Sequence, residues 1–273
     1  MTVSERLDRN LLVVTLDSPA TLNALTQAMM RRLVVVLQAA AVDPDVHAVL
    51  LRGAGRAFCA GGDRRRSRVP DPDDPLAARW SADPAWAAPE MRYDRLRGNV
   101  RSVELLRTMP KPTVAMLRGP VVGAGLGLAA ACDFRIASET AVFRAGFLAA
   151  GYSGDFGASY TLTRLLGGAR SREMLLLGET MDAAEALRVG LITRLVPDAG
   201  LDAQAEALAR RFIGGPRVAY RYAKQTIATA ETHGFAEALD AECMAMVRTS
   251  LTDDAAEARA AFVEKREPVF KGR

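Results

Sequence analysis

The sequence predicts an α/β core followed by an all-helical C-terminal region. Two apolar runs typical of buried strands, residues 11–16 and 47–52, flank an amphipathic run over residues 27–41. Thr26 precedes that run and is a favourable N-cap, and strand, helix and strand in this order favour an α/β core. After Pro197 the apolar pattern is helical, over residues 201–212, 217–231, 235–250 and 253–266. We therefore expect residues 1–197 to form the core and residues 198–273 to form the helical region.

The middle of the chain carries further short elements and one unusual segment. Strands are predicted at residues 113–117, 134–137, 141–143 and 191–196, and helices over residues 97–109 and after Asp155 and Ala169. Residues 64–95 contain RRRSR, VPDPDDP and two tryptophans, Trp80 and Trp86. Proline and aspartate at this density disfavour regular structure, so we expect a mobile insertion or flap there.

Length and composition limit the class of protein. The chain has 273 residues, of which 49% are apolar, which suits one large α/β domain with a sizeable core. The formal net charge is +4, and lysine supplies only four of the 36 basic residues. An arginine-rich but nearly neutral chain is compatible with a phosphorylated small molecule. It gives little support to an RNA-binding role, which rests on the arginine excess alone.

Cysteine and histidine are too few for a disulfide framework or a metal site. Cys59, Cys132 and Cys243 form no CxxC pair, and the two histidines are far apart in the sequence. This pattern predicts a protein of the reducing cytoplasm without a structural metal. No signal-peptide core is evident, and the longest uncharged stretch, residues 119–132, is shorter than the about 20 apolar residues that span a bilayer.

Two glycine-rich turns are the strongest motifs. GAGLG, beginning at Gly123, lacks the GxGxxG spacing of a dinucleotide site, and the next acid, Asp133, comes too early and is expected to be structural. One alternative is a glycine helix packed closely against a neighbour. Another is an anion pocket, because N–H groups at a helix start attract negative charge. The turn AGG, beginning at Ala60, offers similar donors, so the two turns together would form an oxyanion hole.

These turns carry a resemblance to a known family. AFCAGGD at residues 57–63 and RGPVVGAGLGLAAACD at residues 118–133 resemble the enoyl-CoA hydratase/isomerase family, also called the crotonase superfamily. NAL at residues 23–25, the segment 162–197 and AFVEKREPVFKGR at residues 261–273 are similar to further family segments. The resemblance covers nearly the whole chain in order.

The resemblance implies a fold, an assembly and a substrate class. The fold is the crotonase-like (ClpP/crotonase) spiral of ββα units with a helical trimerisation region, assembled as trimers or dimers of trimers. The substrate is an acyl-CoA thioester whose enolate is stabilised in an oxyanion hole; coenzyme A is part of the substrate, and no cofactor is bound permanently. The matching oxyanion donors are the N–H groups of Ala60 and Gly123. The positions matching coenzyme A contacts are Asn23, Ala24, Leu25, Ala60, Gly61, Gly62, Asp63, Arg64, Phe262 and Lys265.

For several of these positions, a role other than contact with coenzyme A is also open. Arg64 pairs with phosphate or belongs to a solvated charged loop. Lys265 contacts coenzyme A, often across a subunit boundary in the family, or faces solvent. Phe262 lies by the adenine or in a subunit contact, and Asp63 holds the turn rather than reacting. Cys59 lacks an adjacent histidine and is a poor nucleophile candidate.

The acid–base residues depart from the hydratase pattern. Hydratase-type members carry two glutamates, whereas the matching positions are Gly127 and Phe147. Asp155 in SGDFGASY resembles the catalytic aspartate of some isomerase members. Phe147 and Phe156 would surround it with apolar groups and raise its pKa. The alternative is an N-cap for the helix that follows.

The expected function is therefore enoyl-CoA double-bond isomerisation with Asp155 as the single proton shuttle. Phe147, Phe156, Trp80 and Trp86 are expected to line the acyl pocket, although the tryptophans would equally anchor the flap. Other chemistries of the same oxyanion hole stay open: hydration through a displaced acid, thioester hydrolysis, dehalogenation and C–C scission. A catalytically weak acyl-CoA binder is a further alternative.

Overall fold

The computed structural model describes residues 2–63 and 88–273. Arg64, Trp80 and Trp86, and most of the predicted flap, lie outside the described residues. The strands are β1 (Thr2–Asp8), β2 (Leu11–Asp17), β3 (Ala48–Gly53), β4 (Thr113–Leu117), β5 (Pro120–Val122), β6 (Phe134–Ser138), β7 (Val142–Arg144), β8 (Thr180–Asp182) and β9 (Arg194–Val196).

The helices alternate with these strands and then continue alone. They are α1 (Gln27–Val42), α2 (Pro89–Thr108), α3 (Ala124–Ala131), α4 (Ala158–Arg172), α5 (Ala183–Arg188), α6 (Leu201–Arg210), α7 (Arg217–Thr232), α8 (Phe235–Ser250) and α9 (Asp253–Glu264). The predicted cap is confirmed, because Thr26 accepts a hydrogen bond from the N–H of Met29. In the described part of the chain, no helix is both long and apolar enough to cross a bilayer.

A mixed sheet forms the centre of the fold. Its order is β1-β2-β3-β4-β6-β9, with β1 antiparallel to β2 and the remaining pairs parallel. A smaller sheet has the order β5-β7-β8. Since β3 and β4 are parallel neighbours, the turns that follow them leave the sheet at the same edge.

Both faces of the main sheet are covered. One face packs against α1, α2 and α3, through residues such as Leu33, Leu106 and Leu128. The other packs against α6, whose Leu201 and Leu208 contact the strands. Strands buried on both sides read as unbroken apolar runs, which is why β2 was predictable.

Several predictions about elements need correction. Strand β1 was not predicted, because as an edge strand it buries only Val3 and is otherwise polar except for the exposed Leu7. The flap was placed over residues 64–95, but α2 begins at Pro89, a residue well suited to the first helical turn. The last predicted strand is also shorter than expected, since β9 begins at Arg194.

Asp133 ties the helical region to the core, as its predicted structural role requires. Its Oδ2 accepts hydrogen bonds from the N–H and hydroxyl of Thr113, at 2.8 and 2.9 Å, and from Lys224 Nζ at 2.7 Å. Lys224 lies on α7 and also donates to the carbonyls of Leu106 and Lys111. One lysine thus joins α7 to the end of α2 and to the start of β4.

Candidate active site

The two glycine-rich turns meet beside the sheet edge. The N–H groups of Phe58 and Cys59 donate to the carbonyls of Arg118 and Pro120, at 2.7 and 3.0 Å, and Val122 N–H donates back to the Cys59 carbonyl. A Cβ added to Gly61 would lie 3.2 Å from the carbonyl oxygen of Val122 and 3.9 Å from Gly123 Cα. The backbone of one turn therefore touches the backbone of the other.

The two N–H groups predicted as oxyanion donors both form hydrogen bonds within the protein. The N–H of Ala60 already donates to the Leu22 carbonyl at 2.9 Å, and that of Gly123 donates to the Arg144 carbonyl at 3.0 Å. A donor engaged in this way is not available to a substrate oxygen.

Two neighbouring N–H groups have the required freedom. Those of Gly62 and Ala124 form no hydrogen bond with residues 2–63 or 88–273. Ala124 is the first residue of α3 and 4% exposed, so its N–H lacks an intrahelical partner while being largely shielded from water. Gly62 has open space beside it. The helix-start rule identifies Ala124 from sequence, whereas the tertiary bond that occupies Ala60 has no sequence signal.

A cleft of about 360 Å³ lies next to the first turn. It is lined by Ala20, Thr21, Leu22, Ala24, Arg56, Gly62 and Asp63. Three of the positions predicted to contact coenzyme A, Ala24, Gly62 and Asp63, are among them. Arg56 was missed, although a cation directly before the turn was visible in the sequence.

The side chains of Asn23 and Leu25 are buried and shape the turn, and the predicted contacts of these two positions with coenzyme A remain predictions. Asn23 is fully buried, and its Oδ1 accepts the N–H of Ser18 at 2.9 Å. Its Nδ2 donates to the carbonyls of Ala54 and Ala57. Leu25 is 1% exposed, belongs to the core, and donates its N–H to the Gly61 carbonyl at 2.8 Å.

The Phe147 ring brings Asp155 close to these turns. A Cβ added to Gly123 would lie 3.7 Å from Phe147 Cε1, and one added to Gly154 would lie 3.8 Å from Phe147 Cδ2. These atoms are on opposite edges of one ring. The loop carrying Asp155 and the second turn therefore contact the same ring.

Asp155 is a half-buried carboxyl, and one of its oxygens is enclosed without a hydrogen-bond partner. Its Oδ1 is inaccessible to solvent and has no such partner in the described part of the chain. Burial raises the pKa of Asp155 to about 6, and no charged group among residues 2–63 and 88–273 contributes to the shift. The predicted apolar surroundings are present, since Phe147 and Phe156 are both buried.

The structure excludes the capping alternative for Asp155. Helix α4 begins at Ala158, its N-cap is Gly157, and no side chain caps it. Asp155 contributes only its backbone carbonyl, which accepts the N–H of Ala158. The carboxyl group is thus left available for another role.

Cys59 is held as a neutral thiol. It is fully buried, and burial raises the pKa of the Cys59 thiol to about 12. Its sulfur accepts the N–H of Gly61 at 3.4 Å. A neutral thiol inside the turn is a poor nucleophile, in agreement with the sequence.

Phe262 and Lys265 are far less enclosed. Phe262 is 85% exposed, and Lys265 follows the last residue of α9 as an exposed residue. Helix α9 packs against α8, within the helical region. Their predicted contacts with coenzyme A remain predictions. Among the residues that the structure describes, no cluster of three His, Cys, Asp or Glu side chains is suited to a metal ion.

Comparison with known proteins agrees with this geometry. A family model described as enoyl-CoA hydratase/isomerase matches residues 11–267. A probable enoyl-CoA hydratase of Mycobacterium leprae is 33% identical over 96% of this chain and 94% of its own length. A 1,2-epoxyphenylacetyl-CoA isomerase of Escherichia coli K12 is 31% identical over 99% of this chain and 98% of its own.

Solved structures are equally similar. A crystal structure of a putative enoyl-CoA hydratase from Streptomyces coelicolor A3(2) superimposes with a TM-score of 0.88 at 34% identity, covering 99% of this chain and 94% of the other. One of a putative enoyl-CoA hydratase/isomerase from Mycobacterium abscessus gives 0.87 at 33% identity, covering 99% and 100%.

Proposed function

The chain belongs to the enoyl-CoA hydratase/isomerase family, and on that premise we propose that it moves the double bond of an enoyl-CoA thioester. The substrate would be a 3-enoyl-CoA and the product the conjugated 2-enoyl-CoA. Coenzyme A enters as part of the substrate. The cleft beside Ala24, Arg56 and Asp63 is the proposed entrance for its polar portion.

The thioester oxygen is proposed to sit between the N–H groups of Gly62 and Ala124. Removing a proton from C2 moves negative charge onto that oxygen. Fixed N–H dipoles then stabilise the transition state more than the ground state. Ala124 contributes further as the first residue of α3, because a helix start carries partial positive charge.

Asp155 is proposed to carry the proton. Its carboxylate takes a proton from C2, the C2–H electrons form the C2=C3 bond, and the C3=C4 electrons take a proton at C4. The same carboxyl returns that proton, so nothing is consumed. With a pKa of about 6, Asp155 is ionised at neutral pH yet basic enough to abstract a proton from an acidified carbon.

One observation carries the proposal: among the described residues Asp155 Oδ1 is enclosed and unpartnered, and the loop that holds it contacts the same Phe147 ring as the second turn. Water addition needs an acid and a base that flank the water. The two positions that carry glutamates in hydratase-type members are a glycine and a buried phenylalanine, Gly127 and Phe147. A single carboxylate suffices for a proton shift.

Hydration is the second candidate, and the names of the relatives favour it. The Mycobacterium leprae relative is named a probable hydratase, whereas the Escherichia coli relative is named an isomerase. If this chain hydrates 2-enoyl-CoA, an acid other than Asp155 takes part.

The test compares wild type, Asp155→Asn and a control, Asp45→Asn, with 3-enoyl-CoA and 2-enoyl-CoA. Asp45 is exposed and precedes β3, at the opposite end of that strand from the turns. We expect wild type and the control to isomerise equally, and Asp155→Asn to lower kcat by about 10²- to 10⁴-fold with thioester binding retained.

Other outcomes would overturn the proposal. Isomerisation that survives in Asp155→Asn would remove Asp155 from the mechanism. Hydration that survives the substitution would make the chain a hydratase with another acid. Tight thioester binding without turnover of either substrate would make it an acyl-CoA binder.

A further inference from the structure

Gly127 makes a contact that no other residue would permit. It lies inside α3, where glycine is an unfavourable helix former. Its φ angle is not in the left-handed region, so the backbone does not demand glycine. A Cβ added there would lie 2.4 Å from the carbonyl oxygen of Phe156 and 2.6 Å from Phe156 Cβ. The backbone of residue 156 occupies the space that a side chain at position 127 would need.

Phe156 lies in an unusual loop that also holds Asp155. The φ angles are +132° at Gly154, +49° at Phe156 and +66° at Gly157. A phenylalanine with positive φ is uncommon, and such a conformation persists only where surrounding contacts impose it. Phe156 is 2% exposed, so it is held by packing on every side.

The contact therefore fixes the residue next to the proposed base. Helix α3 presents the Ala124 N–H at its start and, one turn later, Gly127 against the Asp155 loop. One short helix thus sets the positions of a proposed oxyanion donor and of the carboxyl. Any displacement of Phe156 away from α3 moves Asp155 through a single peptide unit.

We propose that Gly127 is a positioning residue, whose missing side chain lets the Phe156 backbone pack on α3 and hold Asp155 over the oxyanion turns. The inference rests on the proposed function of Asp155. It has a consequence for the chemistry of the site. A side chain at position 127, including a glutamate, and Asp155 in its present place exclude each other. The site holds a single carboxylate because the Phe156 backbone fills the space at position 127, and not merely because one acid is replaced by glycine.

The test is Gly127→Ala, with Gly98→Ala as the matched control. Gly98 is also a helical glycine, in α2, and a Cβ there meets no described residue within 4 Å. We expect Gly127→Ala to lower kcat for isomerisation about 100-fold, the effect of a misplaced catalytic group, with KM nearly unchanged. We expect Gly98→Ala to match wild type.

A pH–rate profile separates positioning from general damage. In wild type, kcat/KM should rise with increasing pH, and the midpoint of the rise should lie near the pKa of Asp155, about 6. In Gly127→Ala the carboxyl leaves its buried place, so the midpoint of the residual activity should move to lower pH. An unchanged midpoint and an unchanged kcat would overturn the inference.

The Asp155 and Gly127 variants together distinguish a failure of the inference about Gly127 from a failure of the proposed function. If wild-type activity does not depend on Asp155, the proposed function fails, and the inference fails with it. If it does depend on Asp155 and Gly127→Ala behaves as wild type, only the inference fails. Should Gly127→Ala not fold, Gly157→Ala perturbs the same loop, because a side chain at its φ of +66° strains the backbone. A wild-type profile for that variant would overturn the inference.

Discussion

At the scale of single residues, Asp155 carries a stability cost that its proposed catalytic role would explain. A carboxylate in an apolar place destabilises the folded chain, and such groups are found where catalysis requires them. The sequence was sufficient to identify Asp155, because a lone acid lay among glycines and aromatics. It was not sufficient to choose between cap and base, which depends on where helix α4 begins.

The cost of burying Asp155 predicts a pH-dependent gain in stability for Asp155→Asn. Well below the ordinary carboxyl pKa of 3.8 the group is neutral in both folded and unfolded chains and costs nothing, and at pH 4 the cost is still small. Above the folded pKa of about 6 the folded chain holds Asp155 as a partly buried carboxylate, and this lowers the free energy of unfolding. At pH 8 we expect Asp155→Asn to raise the free energy of unfolding by about 1–2 kcal/mol, after allowance for partial exposure.

Urea unfolding at pH 4 and pH 8 measures this difference. Asp45→Asn should change little at either pH, because Asp45 is exposed. An equal gain for Asp155→Asn at both pH values would show that charge burial is not its cause.

The oxyanion donors show the limit of residue-level prediction. The motif located both turns, but the assigned N–H groups, Ala60 and Gly123, are bonded within the protein. Which N–H remains free depends on partners such as the Leu22 carbonyl, which are distant in sequence. The turn could be predicted and its donor could not.

At the scale of elements, buried strands were predicted well and surface elements less well. β2 and β4 are buried on both sides, so hydrophobicity alone marks them. β1 is mostly polar because it lies at a sheet edge. Its pairing with β2 depends on tertiary contacts that a local sequence pattern does not show. The predicted start of α2 was too late in the chain, because the first turns of this helix are exposed and highly charged.

The attachment of α7 to the core predicts a large effect for Lys224→Met. The Lys224 side chain is 11% exposed, and its Nζ donates to two carbonyls and to Asp133. Removing the cation leaves the Asp133 carboxylate and both carbonyls without that donor. We expect a loss of about 2–4 kcal/mol in the free energy of unfolding.

Urea unfolding of Lys224→Met is compared with that of Lys271→Met. Lys271 is exposed in the C-terminal tail, so the control should lose little. Equal losses for the two variants would mean that Lys224 does not anchor α7.

At the scale of the whole molecule, the fold class followed from strands that give way to helices alone. That order is set by hydrophobic period, which the sequence displays directly. The division at Pro197 is less sharp than expected, because α6 still covers one face of the sheet.

The helical region exposes apolar side chains that a monomer has no reason to show. Phe235, Leu251, Phe262 and Val263 are each about 80% exposed or more. We propose that the chain assembles through this face as a trimer or dimer of trimers. Sedimentation velocity should give a molecular mass of three or six times the 29.3 kDa of one chain. The double variant Leu251→Asp, Phe262→Asp should have a lower mass. A wild-type monomer at micromolar concentration would contradict the proposal.

The central claim is that one carboxyl group, Asp155, both removes and returns the proton. The most direct test is a single turnover, in ordinary water, of 3-enoyl-CoA carrying two deuterons at C2, with the product analysed by mass and NMR. A shuttle held in a buried place predicts one deuteron retained at C2 and the other recovered at C4 in a measurable fraction of product molecules. Product with no deuterium at C4, at a wild-type rate of isomerisation, would contradict a single shuttle and require a second proton donor.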